Sequence, residues 1–176
     1  MSSGSQTNEL TTAMRHRAGF SLGSNVGNRL ALLEQACDCL SELFGDLRLS
    51  QVYETEPVGC PEGSPWYLNA CVEVSTDKSP REILLLCQQI EQELGRERHG
   101  LYGEPRTCDI DFLYYDQMVL ETPELTLPHP RLLQREFVLR PLCDVDPLLT
   151  LPGQPLTVRE LLSQLPPGPV VKPFPL

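Results

Sequence analysis

The chain has 176 residues, 40% hydrophobic and 22% charged, so it is long enough to bury one core without disulfide support and is not compositionally disordered. Fourteen Lys plus Arg against 24 Asp plus Glu give a net charge of −10, which excludes a general nucleic-acid binder because phosphate backbones demand a basic surface. A small anionic ligand stays possible, since it needs only a local cluster of cations.

Residues 1–16 read as a polar, mobile tail with no secretory leader. Ala18 to Leu22 reads as a first strand, with Ala18, Phe20 and Leu22 on one side and Gly19, Ser21 and Gly23 on the other. Asn28 is placed to cap a helix running to Phe44, and Gly45 to end it. Leu47 to Thr55 reads as a second strand, followed by a Pro/Gly-rich loop over 56–65. Trp66 to Ser75 alternates most clearly: Leu68, Ala70, Val72 and Val74 form one face, Tyr67, Asn69, Cys71 and Glu73 the other. Ser79-Pro80-Arg81-Glu82 is a capping box with Pro at the first helical position, opening a helix expected to run to Leu94 and stop at Gly95. After a loop at 95–106, Cys108 to Tyr115 reads as a fourth strand, with Ile110, Phe112 and Tyr114 on one face and Asp109 and Asp111 on the other. Prolines crowd the second half, which is expected to be loop-rich, and 166–176 reads as an extended polyproline-like end.

The order β-α-β-β-α-β is the ferredoxin-like plan: an α+β fold with both helices on one face of an antiparallel sheet, followed by C-terminal loops and short helices. In that topology the first strand lies between the third and fourth. The opposite face then carries small residues (Gly19, Ser21) between a Tyr67/Asn69 wall and an Asp109/Asp111 wall, leaving room for a flat ligand.

Asp109 and Asp111 are the sharpest chemical feature. Residues i and i+2 of a strand project to one side, roughly 6 to 7 Å apart, and two carboxylates so placed can share Mg²⁺. Six of the arginines lie between 96 and 140, which adds cations for phosphate oxygens. His129, between two prolines in L-P-H-P-R, is presented from a stiff loop. No G-x-x-x-x-G-K-[ST] loop occurs and only Lys78 and Lys172 are lysines, which excludes a Walker-type ATPase. The seven cysteines include no C-x-x-C pair and read as small buried hydrophobes of a reducing cytoplasm, with a site at Cys37 and Cys39 as the weaker alternative.

Seven motifs in order carry a resemblance: L-G-S-N at 22–25, E-T-E-P-V-G at 54–59, Y-L-N-A at 67–70, Q-Q-I-E at 88–91, G-R-E-R at 95–98, P-R-T-C-D-I-D at 105–111 and L-P-H-P-R-L-L-Q-R-E-F-V at 127–138. Together they resemble the 6-hydroxymethyl-7,8-dihydropterin pyrophosphokinase family over about residues 18–165. The resemblance implies transfer of pyrophosphate from ATP to the pterin's hydroxymethyl oxygen, releasing AMP, in folate biosynthesis. It implies a pyrophosphokinase domain over 17–165, flanked by a tail at 1–16 and a Pro-rich tail at 166–176.

The same resemblance implies that Asp109 and Asp111 hold two Mg²⁺ ions and that Arg96, Arg106, Asp109 and Asp111 are catalytic. ATP is expected at Gln88, Glu91, Arg96, Arg98, Arg106, His129 and Arg135. The pterin is expected at Thr55, Pro57, Val58, Tyr67, Asn69, Asp109 and Phe137. Asp111 is also a candidate acceptor for the alcohol's proton. A cytoplasmic monomer is expected, acting on small molecules, with no nucleic-acid or membrane partner. One departure stands out: the family's R-W-G-P-R becomes Tyr102-Gly103-Glu104-Pro105-Arg106, which implies weaker closure of the loop before the aspartates. Two other readings compete. A polymerase-type nucleotidyltransferase would need its G-S and D-x-D close together, and here Gly23 and Asp109 are far apart. A binding module without turnover would not require the Asp pair.

Overall fold

The computed structural model describes residues 14–57, 59–99 and 108–176, with the side chains of 96–99 outside the described set. Strand β1 spans His16–Ser24, helix α1 Arg29–Phe44, β2 Leu47–Leu49, β3 Tyr53–Thr55, β4 Tyr67–Thr76, helix α2 Pro80–His99 and β5 Asp109–Tyr115. A small hairpin follows, β6 (Leu120–Glu121) and β7 (Thr126–Leu127), then a 3-10 turn at Leu132–Gln134, helix α3 (Glu136–Val145), helix α4 (Val158–Gln164) and strand β8 (Val171–Pro173). The main sheet is antiparallel, in the order β5-β1-β4-β3-β8, with β2 also paired to β4.

The helix ends follow their caps. Asn28 accepts the Ala31 N–H at 3.1 Å, and Gly45, with φ of 82°, closes α1 by donating its N–H to the Ser41 carbonyl. Ser79 Oγ accepts the Glu82 N–H at 3.3 Å at the start of α2. Helix α2 does not stop at Gly95 but continues to His99: glycine disfavours a helix by only about 1 kcal/mol relative to Ala, too little to break a helix already packed.

One face of the sheet packs on α1 and α2 through Phe20, Leu22, Leu40, Val72, Ile90 and Phe112. Burying each such side chain contributes about 1.5–3 kcal/mol. The other face is not left open as expected. Helix α3 lies on it, and Val138, Leu139 and Leu142 form a second core with Cys71, Leu113 and Tyr114. The helices therefore cover both faces, because the amphipathic stretch from Phe137 to Val145 has its own apolar stripe to bury.

Two register shifts correct the strand reading. Gly19 pairs with Tyr114, but Phe20 pairs with Phe112, so Leu113 is the extra residue of a β-bulge. The bulge flips the parity: Tyr114 sits in the α3-side core instead of facing with Ile110 and Phe112. On the other strand Leu49 pairs with Val72 and Tyr53 with Asn69, one residue out of step, which splits 47–55 into β2 and β3. The Ser50 hydroxyl accepts the Cys71 N–H at 2.8 Å within that break.

Both ends of the chain differ from expectation. His16 belongs to β1 and contacts Asp116 at 2.6 Å. Residues 171–173 are not an isolated polyproline tail but an added strand beside β3.

Candidate active site

The α3-side face of the sheet is only partly covered, and a cleft of about 520 Å³ opens beyond the N-terminal end of α3. Its floor is read directly from the register. Gly23 pairs with Asn69 on one side and Asp109 on the other. Ser21 pairs with Cys71 and Asp111 in the next row but one. Directly opposed residues in a sheet point to the same face. Asn69 and Asp109 are thus two strand spacings apart, about 10 Å, with no side chain at Gly23 between them.

One wall is built from β3 and β4. Thr55 and Asn69 are buried, and the Thr55 hydroxyl donates to Asn69 Oδ1 at 2.7 Å, which fixes the amide's orientation. Tyr67 pairs with Thr55 and lines the same cleft with Pro57. Burial pushes the Tyr67 hydroxyl pKa up, reinforced by the charge of Asp109, so it stays a neutral donor. Phe137 and Arg135 enter from the start of α3, the guanidinium 5.4 Å from the ring centre.

The opposite wall is β5. Asp109 and Asp111 are exposed on the same face and line the cleft. His129 is brought to them by the bulge: the Leu113 carbonyl accepts the His129 N–H at 2.7 Å. The Arg131 N–H donates to His129 Nδ1 at 3.2 Å, which leaves Nε2 to carry the proton of the neutral ring. Burial lowers the His129 pKa below its ordinary 6.5, Arg135 and Arg131 lower it further, and the charge of Asp111 opposes them.

Thr55, Pro57, Tyr67, Asn69, Asp109, Asp111, Arg135 and Phe137 therefore share one cleft. Gln88 does not line it: it borders a second groove between α2 and the β6–β7 hairpin. Glu91, also on α2, accepts a long contact from the Ile110 N–H at 3.4 Å, at the back of the aspartate strand. Arg96 and Arg98 lie on the last turn of α2, with side chains outside the described set, and Val58 and Arg106 lie outside the described residues, as does the altered 102–105 segment. Glu56, Gln134, Glu136, Pro169 and Val171 also line the cleft and are additions to the sequence reading. Glu56, Gln134 and Glu136 fall inside quoted motifs, whereas nothing in a proline-rich end signals the last two.

The aspartate pair fits a hard divalent cation. Among the described residues no third His, Cys, Asp or Glu completes a three-ligand cluster. A carboxylate pair is the kind of protein ligand that Mg²⁺ uses, with its other ligands drawn from water and substrate phosphates. The cysteines form no disulfide, and burial pushes the Cys71, Cys87 and Cys108 thiols up, as for small core residues. No described helix is long and apolar enough to cross a membrane.

A family model described as 7,8-dihydro-6-hydroxymethylpterin-pyrophosphokinase (HPPK) matches residues 19–147. A Bacillus subtilis protein named 2-amino-4-hydroxy-6-hydroxymethyldihydropteridine pyrophosphokinase is 43% identical over 134 residues, covering 75% of this chain and 79% of its own. A Porphyromonas gingivalis protein of the same name is 45% identical over 135 residues, covering 74% and 90%. Among solved structures, Plasmodium falciparum HPPK-DHPS with pterin and p-hydroxybenzoate superposes with a TM-score of 0.69 at 18% identity, over 88% of this chain and 44% of that one. At that identity the likeness speaks for the fold alone.

Proposed function

The chain belongs to the 7,8-dihydro-6-hydroxymethylpterin-pyrophosphokinase family, and we propose that it carries out that family's reaction in the cleft between Asn69 and Asp109. Pyrophosphate passes from ATP to the hydroxymethyl oxygen of 6-hydroxymethyl-7,8-dihydropterin, giving AMP and the pterin diphosphate, a step of folate synthesis. The observation that carries the site assignment is the pairing of Gly23 with both Asn69 and Asp109, which faces an amide wall with a carboxylate wall across an open floor.

The pterin is flat and has an amide-like donor and acceptor edge. We assign its faces to Tyr67 and Phe137 and its edge to Asn69, with Thr55, Pro57 and Val58 beside it. Asn69 is suited to this because Thr55 has already fixed which way its amide points. The hydroxymethyl group then projects toward Asp109 and Asp111. ATP lies along β5, with His129 and Arg135 toward its phosphates and Gln88, Glu91, Arg96, Arg98 and Arg106 as the further contacts carried over from the family pattern. His129 is assigned a donor role from Nε2 to a phosphate oxygen, because its Nδ1 already accepts the Arg131 N–H.

Two Mg²⁺ ions, held by Asp109 and Asp111, would neutralise phosphate charge and make the alcohol more acidic. The alcohol oxygen attacks the β-phosphorus as the bond to the oxygen of the α-phosphate breaks, and AMP leaves. The Asp111 carboxylate is assigned the alcohol's proton. Alignment of the two substrates across one rigid sheet supplies much of the remaining acceleration.

Three further points belong to the same reading. The strand order, with β1 between β4 and β5, supports a ferredoxin-like core carrying an added β8. A monomer is proposed with the same reading. The composition supports a cytoplasmic enzyme without nucleic-acid or membrane partners.

Titration calorimetry tests the assignment. Asp111→Asn is expected to retain pterin binding and lose Mg²⁺-dependent turnover. Wild-type turnover in that variant would remove Asp111 from the metal and proton roles.

A further inference from the structure

The C-terminal strand lies beyond residue 147, where the family match ends, yet it reaches the cleft. In β8, Val171 pairs with Thr55, and Thr55 pairs with Tyr67. The three side chains therefore stand in one row on the cleft face, with Val171 outermost. Pro169, just before the strand, lines the cleft as well.

The segment is fastened at several points. The Glu56 N–H donates to the Val170 carbonyl at 3.0 Å, and the Val170 N–H donates to Glu56 Oε2 at 3.1 Å. The Phe174 N–H donates to the Val52 carbonyl at 2.9 Å, and the Phe174 ring packs against the main core. The Lys172 ammonium sits 4.9 Å from the ring centre of Trp66. These contacts bracket residues 52–56, the backbone that leads into the pterin wall.

We propose that residues 169–174 are a specificity element of this enzyme: Pro169 and Val171 form an apolar outer wall for the reduced pterin, and the docked strand holds Thr55 and Pro57 at the distance the ring requires. The proposal rests on the pterin assignment above. Pro169 and Val171 offer no hydrogen-bond partner, and the Glu56 carboxylate beside them is engaged by the Val170 N–H, so this edge favours a compact, uncharged pterin over a bulkier or anionic one.

The test uses the full chain and two variants. Val171→Phe keeps the strand's backbone pairing and fills the wall. Its dissociation constant for 6-hydroxymethyl-7,8-dihydropterin is expected to rise about tenfold or more, the scale of an overpacked site, with ATP binding unchanged. Phe174→Ala removes an anchor outside the cleft. It is expected to raise the pterin KM with little change in kcat, and to shift the emission of Trp66, the sole tryptophan of the chain, as Lys172 moves away. Wild-type pterin affinity in folded Val171→Phe would overturn the proposal, whatever Phe174→Ala does. Because pterin binding is read without turnover, a wild-type protein that binds pterin but forms no AMP would instead count against the reaction.

Discussion

Asn69 and Asp109 are both register partners of Gly23, one on each side of β1. The site depends on that glycine having no side chain. A Cβ at position 23 would lie 3.1 Å from Asn69 Nδ2, and the amide is held in place by Thr55. Gly23→Ala is expected to displace the amide and raise the floor, so that the pterin KM rises about tenfold while the fold loses only about 1–3 kcal/mol. Unchanged pterin binding in this variant would separate Asn69 from the pterin edge.

Phe137 is the aromatic group that α3 brings to the cleft, with Arg135 stacked on it. Phe137→Leu keeps an apolar side chain but removes the ring face. Aromatic stacking contributes about 0.5–1.5 kcal/mol beyond area burial, so pterin affinity is expected to fall roughly two- to tenfold. Fluorescence titration with the pterin checks this, and an unchanged affinity would place the ring elsewhere.

Gly19 answers a different need from Gly23. Its missing Cβ is occupied by the Tyr114 ring, whose nearest atom would be 2.2 Å away. The ring is buried and its hydroxyl donates to Glu73 at 2.6 Å, so it cannot swing aside without breaking that bond. Gly19→Ala is expected to destabilise the protein by about 1–3 kcal/mol or more, read by urea unfolding. An unchanged midpoint would contradict the bulged register of β1 and β5.

Acid stability follows from the groups around Arg17. Burial pushes Asp146 up, but the Arg17 guanidinium and the Leu148 N–H outweigh it and hold the carboxyl below its ordinary 3.8. A folded-state pKa below the unfolded one contributes stability that is present above the unfolded value and lost as pH falls through the folded one. Asp116 is lowered in the same way by the Arg17 N–H and His16, against its own burial. Stability is therefore expected to fall more steeply below about pH 4 in the wild type than in Asp146→Asn. Equal slopes would remove Asp146 from the acid limb.

Much of the cleft was legible in the sequence because β1 and β4 alternate strictly and their parity is unbroken. Spacing together with the β-α-β-β-α-β order puts Asn69, Tyr67, Asp109 and Asp111 on one face. Tyr114 was misplaced because a bulge at Leu113 costs one residue of register, and nothing in D-I-D-F-L-Y-Y marks where that occurs. The same bulge supplies the carbonyl that holds His129, so the irregularity serves the site. Short C-terminal helices are expected from the sequence, but not that α3 covers the second face, because that depends on tertiary packing against Cys71 and Leu113. Strand β8 was hidden because Pro-Val-Val-Lys-Pro reads as an extended end, and an extended end becomes a strand only where an edge such as β3 accepts it. Val58, Arg106 and the 102–105 segment stay with the family pattern alone.

The most direct test of the central claim is the nucleotide product formed from ATP and Mg²⁺, with and without 6-hydroxymethyl-7,8-dihydropterin. The account predicts AMP, formed only when the pterin is present, in step with pterin diphosphate. ADP as the product, or AMP released at the same rate without the pterin, would contradict it.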